Sequence, residues 1–192
     1  MKKYFMLILG AAVLALVLYM GLAGFKSGLP PGDAASGQGS SEFLDLLVVH
    51  DEPRALPTIE FDVGGETVGF ERWAGHYVVV NFWATWCAPC RREMPQFDAL
   101  SAGFADQGLV VIALSVDRGR RDKPDAFLDE LAIQNLVRGH SGDQTAARKL
   151  GLFGLPTTLI IDPDGRELAR LQGEADWGSE EAFTAIRALM QQ

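Results

Sequence analysis

The only two cysteines of the chain, Cys87 and Cys90, stand either side of Ala88-Pro89. A disulfide between them would close a loop too small to restrict the unfolded chain much, so a stabilising crosslink explains the pair poorly. Half a zinc site is the other ordinary reading of Cys-x-x-Cys. No second Cys-x-x-Cys exists, however, and His50, His76 and His140 lack ligand spacing around the pair, so no metal and no cofactor is expected. Each histidine reads as a surface or packing residue. What remains is thiol chemistry. A cysteine at the start of a helix sits in the positive field of the helix N-terminus and commonly titrates within about 3.5 to 7.5, and the thiolate is the species that attacks a disulfide. Cys87 is expected to be that sulfur. Cys90, one turn further in, is expected to be less exposed and to resolve the mixed disulfide. Pro89 falls in the first helical turn, where its missing N–H costs no hydrogen bond and its ring stiffens the link between the sulfurs.

The flanking pattern supplies the elements that such a pair needs. Residues 77–83 (YVVVNFW) form a nearly continuous apolar, β-branched run, which predicts a central strand buried on both faces and ending just before Cys87. Residues 87–104 read as a helix with Met94, Phe97, Leu100 and Phe104 on one face and a kink expected at Pro95. Upstream, residues 58–63 and 66–70 flank Gly64-Gly65 as a hairpin that opens the folded domain, after one or two helical turns within 43–49. Downstream, the pattern predicts a buried strand at 109–116 and helices at 124–135 and 143–150. Paired strands follow at 157–161 and 167–171, and an amphipathic helix at 180–190. Strands alternating with helices, closed by a hairpin, predict an α/β fold with a central mixed β-sheet flanked by helices.

Residues 4–25 carry no charged side chain and are long enough to cross a hydrocarbon core of ~30 Å, so one N-terminal transmembrane helix is expected. The apolar run is longer than a signal-peptide core and ends at no convincing cleavage site, which favours an uncleaved anchor. Lys2 and Lys3 before the segment, against Lys26 after it, direct the N-terminus to the cytoplasm. The expected organisation is a cytoplasmic N-terminus and anchor at 1–26, a flexible Gly/Ser/Pro/Ala-rich linker at 27–41, and the folded domain at 42–192. The formal net charge of −8 makes nucleic acid an unsuitable partner.

The run Asn81-Phe82-Trp83-Ala84-Thr85-Trp86-Cys87-Ala88-Pro89-Cys90-Arg91-Arg92-Glu93-Met94-Pro95 resembles the active-site segment of the TlpA/ResA-like thioredoxins, and the likeness extends over about residues 56–190. Gly154-Leu155-Pro156-Thr157-Thr158 is similar to the family's cis-proline loop, and the segment 173–181 resembles the TlpA branch more than the wider family. The resemblance implies a thioredoxin fold, a cis peptide bond at Pro156, and a place for Pro156 beside the two cysteines. It also implies that Leu155 and Pro156 hold a substrate peptide as an added strand, with Trp86 at the rim of that surface. Asn81 stands where thioredoxin itself has a buried Asp, so another group must take the proton of Cys90. By composition Glu93 would be a solvated helix carboxylate; the resemblance makes it the general base or the residue that tunes the thiol pKa. Trp83 and Trp177 read as packing residues.

The implied activity is a thiol:disulfide oxidoreductase that reduces protein disulfides outside a bacterial cytoplasmic membrane. The resemblance makes a transmembrane thiol carrier of the CcdA or DsbD type its electron donor. Likeness to the TlpA branch directs it to cytochrome oxidase copper-site assembly, with an oxidised Sco-like copper chaperone or the copper-binding oxidase subunit as substrate. Reduction of apocytochrome c is the close alternative, weakened because Thr157 follows Pro156 where that branch usually has Glu. A Sco-type copper-binding chaperone would need three residues between its cysteines, and a peroxiredoxin would not have Ala84 and Val80 before its reactive sulfur. A DsbA-like oxidase stays open, since reduction potential decides the direction in which a Cys-x-x-Cys protein runs.

Overall fold

The computed structural model describes residues 42–191. The expected anchor and linker, residues 1–26 and 27–41, therefore lie outside the described residues. Among the described residues no helix is long and apolar enough to cross a membrane.

Among the described residues, eight strands make one sheet: β1 (Val48–Ala55), β2 (Phe61–Val63), β3 (Glu66–Val68), β4 (Tyr77–Trp83), β5 (Leu109–Ser115), β6 (Val137–His140), β7 (Thr157–Ile161) and β8 (Arg166–Gln172). Their spatial order is β1-β8-β7-β4-β5-β6-β2-β3. The middle strands β4, β5 and β6 run parallel, while the strands outside them pair antiparallel, so the sheet is mixed as expected. β7 is buried along its whole length and β4 at every residue after Tyr77, so both faces are covered where the sequence is continuously apolar.

Among the described residues, the α-helices that alternate with these strands after β3 are α1 (Ala88–Gly103), α2 (Asp122–Glu130), α3 (Thr145–Lys149) and α4 (Glu180–Leu189). α1 is continuous through Pro95 and buries Cys90, Glu93, Met94, Phe97 and Leu100 along one stripe. α4 starts on Ser179, whose hydroxyl accepts from the Ala182 N–H and so satisfies one of the free amides of the first turn.

Three expectations are corrected. The Gly64-Gly65 hairpin exists, with both glycines at positive φ, but it does not open the domain, because β1 precedes it and pairs with β8 at the far edge of the sheet. The helical turn before it ends at residue 44, and Val48 and Val49 already belong to β1. The helix expected at 124–135 stops at Glu130, and the chain then forms β6, a four-residue strand that completes the parallel set.

Candidate redox site

β4 ends at Trp83, and a turn closed by the Cys87 N–H donating to the Ala84 carbonyl at 3.0 Å delivers the chain to α1. Cys87 is the N-cap residue of that helix. Its backbone is extended, and its sulfur accepts from the Cys90 N–H at 3.4 Å, taking the place of the oxygen that usually caps a helix. The first turn carries no acidic side chain, so the positive end of the helix acts on this sulfur unopposed from its own turn. Cys87 and Cys90 are joined as a disulfide with their Cα atoms 5.3 Å apart. Cys87 retains 6% exposure and Cys90 none, which is the asymmetry an attacking and a resolving sulfur require.

Glu93 lies one turn beyond Cys90 on the same stripe of α1 and is fully buried. The sequence-composition reading of a solvated carboxylate is overturned, since position 93 falls between Cys90 and Phe97 at helical spacings of three and four and so faces inward. Burial pushes its carboxyl up to about 7, opposed by the Ala175 backbone N–H, the Trp177 indole and the Asn81 amide, with the Glu174 charge adding to the rise. Of those opposing groups, only Ala175 makes a hydrogen bond of normal geometry, at 3.0 Å to Oε1. The second carboxyl oxygen, the Trp177 indole nitrogen and the Asn81 amide oxygen have no protein partner. A group poised near neutrality, half satisfied and set against the resolving cysteine's helix turn, can take up and release a proton.

Trp177 otherwise packs as expected, edge-on to Phe43 and stacked with Phe97 at centroid distances of 5.2 and 4.9 Å. Trp83 is buried against Phe127. His50 and His140 are buried and partnered, by Glu167 and by the Gly119 carbonyl, and His76 is exposed. Among the described residues no cluster of three His, Cys, Asp or Glu side chains could hold a metal ion.

The Leu155–Pro156 bond is cis, as the resemblance implies. Pro156 directly precedes β7, whose Thr157 is in register with Phe82 near the end of β4, so the proline loop and the cysteine turn leave the same end of the sheet. Trp86 and Leu155 line one groove of about 340 Å³, together with Val116, Arg148, Leu152 and Phe153. Trp86 is 62% exposed and Phe153 92%, an apolar rim of the kind that meets another surface.

The structure thus brings Cys87, Cys90 and Glu93 together along α1, and places Trp86, Leu155 and Pro156 at the adjoining edge. Phe153 and Asp117 escaped the sequence reading, and Thr85 entered it only within the active-site run, with no role of its own. Phe153 could have been found as a bulky apolar residue in a glycine-flanked loop. Thr85 and Asp117 are joined just before the cysteine turn, where Thr85 donates its N–H and its hydroxyl to the buried Asp117 carboxylate. The signal for Asp117 was a single acid placed directly after a buried strand, at the carboxyl end where parallel sheets carry their sites.

The arrangement defines a thioredoxin-like α/β domain with a disulfide-bonded cysteine pair at a helix N-terminus. Residues 52–186 match the model of the Redoxin family, and the chain belongs to that family. Similar proteins include the thiol-disulfide oxidoreductase ResA of Bacillus thuringiensis subsp. konkukian, 29% identical over 121 residues, covering 59% of this chain and 64% of the relative. ResA of Oceanobacillus iheyensis is 35% identical over 119 residues, covering 62% of this chain and 60% of the relative. The chain therefore spans just under two thirds of the length of these relatives. A secreted thiol-disulfide isomerase from Corynebacterium glutamicum shares the fold at a TM-score of 0.65 and 22% identity, over 77% of this chain and 93% of that one.

Proposed function

We propose that this protein is a thiol:disulfide oxidoreductase that works as a reductase of protein disulfides. The observation that carries the reading is the Cys87–Cys90 disulfide capping α1, with the buried Glu93 one turn further along. In the reduced protein the Cys87 thiolate attacks one sulfur of a substrate disulfide, forming a mixed disulfide and releasing the other sulfur as a thiolate. Glu93 takes the proton of Cys90, and the Cys90 thiolate then attacks Cys87. The Cys87–substrate bond breaks, the substrate leaves as a dithiol, and two electrons have passed to it as the Cys87–Cys90 bond forms. A thiol donor must return those electrons; a transmembrane carrier of the CcdA or DsbD type fits a domain tethered by residues 4–25 to the outer face of a bacterial cytoplasmic membrane.

The resemblance of the 173–181 segment to the TlpA branch supports a substrate in cytochrome oxidase copper-site assembly, namely the oxidised cysteine pair of a Sco-like chaperone or of the copper-binding subunit. The ResA relatives, and the open groove beside Trp86, fit protein disulfides in general. The test mixes the reduced full-length protein with an oxidised Sco-like chaperone and, separately, with disulfide-bonded apocytochrome c. Stoichiometric appearance of the chaperone dithiol with oxidation of Cys87–Cys90 is the expected result. Reduction of apocytochrome c alone moves the protein to cytochrome c maturation, and reduction of neither contradicts the reading as a reductase.

A further inference from the structure

Asp117 is a buried carboxylate whose hydrogen-bond partners are all neutral. Its Oδ1 accepts from the Thr85 hydroxyl at 2.7 Å, and its Oδ2 accepts from the Thr85 N–H and the Ser115 hydroxyl, both at 2.9 Å. In return its own N–H donates to the Ser115 Oγ at 3.1 Å. The three hydrogen bonds it accepts are of good length and fix the carboxylate between two segments of the chain. The group is placed to hold one of them.

What it holds follows from the strand register. β4 and β5 are parallel neighbours with Trp83 opposite Ser115, so Thr85 and Asp117 each lie two residues beyond that last pair. The Val116 N–H donates to the Trp83 carbonyl at 2.9 Å and carries the ladder one step past the strands. The Thr85–Asp117 contact carries it one step further. It ties down the first half of the Ala84–Cys87 turn, directly before the exposed Trp86 and the sulfur that caps α1.

We propose that Asp117 is a positioning residue for the redox reaction. Through Thr85 it fixes the turn that keeps the Cys87 sulfur on the helix N-terminus and Trp86 at the rim of the partner groove. It touches neither the sulfurs nor the substrate, and acts through the backbone of residues 85–87. With the clamp gone, the turn samples other conformations, the sulfur spends less time capped by the Cys90 N–H, and the thiolate loses the stabilisation of the helix end. The inference rests on the reading of Cys87 as the attacking thiolate.

The test follows the reaction of the reduced full-length protein with dithiobis(nitrobenzoate), together with the pH titration of Cys87 by thiolate absorbance and a melting curve. Asp117→Ala is expected to raise the Cys87 pKa by about one unit and to slow the reaction about tenfold near neutral pH, through the smaller thiolate fraction. Thr85→Val is expected to move both quantities in the same direction, and Thr85→Ser, which keeps the hydroxyl, to stay within about twofold of the parent, a loss of under one hydrogen bond. Asp117→Asn keeps one oxygen for the Thr85 N–H and offers its amide to the Thr85 hydroxyl, so it is expected to retain most of the reactivity. Lower melting temperatures with unchanged pKa and rate in Asp117→Ala and Thr85→Val overturn the inference. So does an Asp117→Asn protein that matches Asp117→Ala while Thr85→Val matches the parent, since the charge would then act on its own. If Asp117→Ala does not fold, the two Thr85 variants decide. A parent protein that reacts no faster than free cysteine defeats the functional reading itself, whereas variants alone behaving like the parent defeat only the role of Asp117.

Discussion

The backbone N–H of Ala175 reaches the Glu93 carboxylate at 3.0 Å, so the loop between β8 and α4 covers the acid that follows the redox cysteines. That loop is held at three neighbouring points of α1. Glu174 pairs in two-pronged fashion with Arg92, Ala175 caps Glu93, and the Trp177 backbone N–H donates to the Gln96 side-chain oxygen. Trp177 anchors it in the core. A segment remote in sequence thus creates the environment in which Glu93 titrates near neutrality.

Glu93 should make stability fall with rising pH. Its folded pKa, about 7, lies above the value of an unfolded glutamate, so the protonated folded form is favoured. The contribution is fully present below about pH 4.5 and is lost as pH rises through about 7, with a limiting size of roughly 3 kcal/mol. Denaturant titrations of the oxidised protein at pH 4.5 and at pH 8 check this. Glu93→Gln is expected to remove most of that slope.

In the reaction, Glu93→Gln is expected to slow the second step and spare the first. Cys90→Ser should accumulate the mixed disulfide on Cys87, and Cys87→Ser should form none. With both cysteines present, the resolution rate should rise through an inflection near about pH 7 that Glu93→Gln lacks. Quenched-flow trapping of the mixed disulfide measures each step.

Trp86→Ala should separate protein substrates from small ones. The indole is exposed and rims a groove, so its loss removes partner contact and little else. KM for a protein disulfide is expected to rise about tenfold, the effect of losing one aromatic anchor. Reaction with a small aryl disulfide should stay within about twofold, because the sulfur and its capping N–H are untouched.

Glu167→Ala should destabilise the domain by about 3 to 5 kcal/mol, the usual result of removing one partner from a buried ionic cluster. Glu167 accepts from His50 at 2.8 Å and from Nε and Nη2 along one edge of the Arg170 guanidinium, and His50 lies in the irregular stretch of β1 where register slips against β8. Arg120→Ala breaks only the exposed pair with Asp122 and should cost less than about 1 kcal/mol. Parallel chemical denaturation of the two variants gives the comparison.

The centre of the fold was legible because its signals are local. The apolar run of β4 and the Cys-x-x-Cys at its end place the redox pair with no tertiary information. The edges were not. β1 reads VVHDEPRA, polar in the middle, because its inward groups are a histidine held by Glu167 across the sheet and not a stripe of apolar side chains. β6 reads VRGH, too short and too polar for a strand pattern, and it exists because β5 offers it a parallel edge while Gly139 lets Leu114 and Phe61 come close. In the site, Glu93 was marked by the family resemblance, while composition alone read it as solvated; its covering loop was not legible, since a hydrogen bond from Ala175 crosses 82 residues. The same holds for Asp117, whose partner Thr85 is its neighbour only because β4 and β5 run side by side.

The reduction potential of the Cys87–Cys90 pair tests the proposed activity most directly. It is read by equilibrating the full-length protein in glutathione or dithiothreitol redox buffers. A dedicated reductase requires a value well below the ~−180 to −210 mV of folding compartments, and that is the result expected here. A value near the ~−120 mV of a strong oxidant would mean that the protein gives its disulfide away, and would contradict the account.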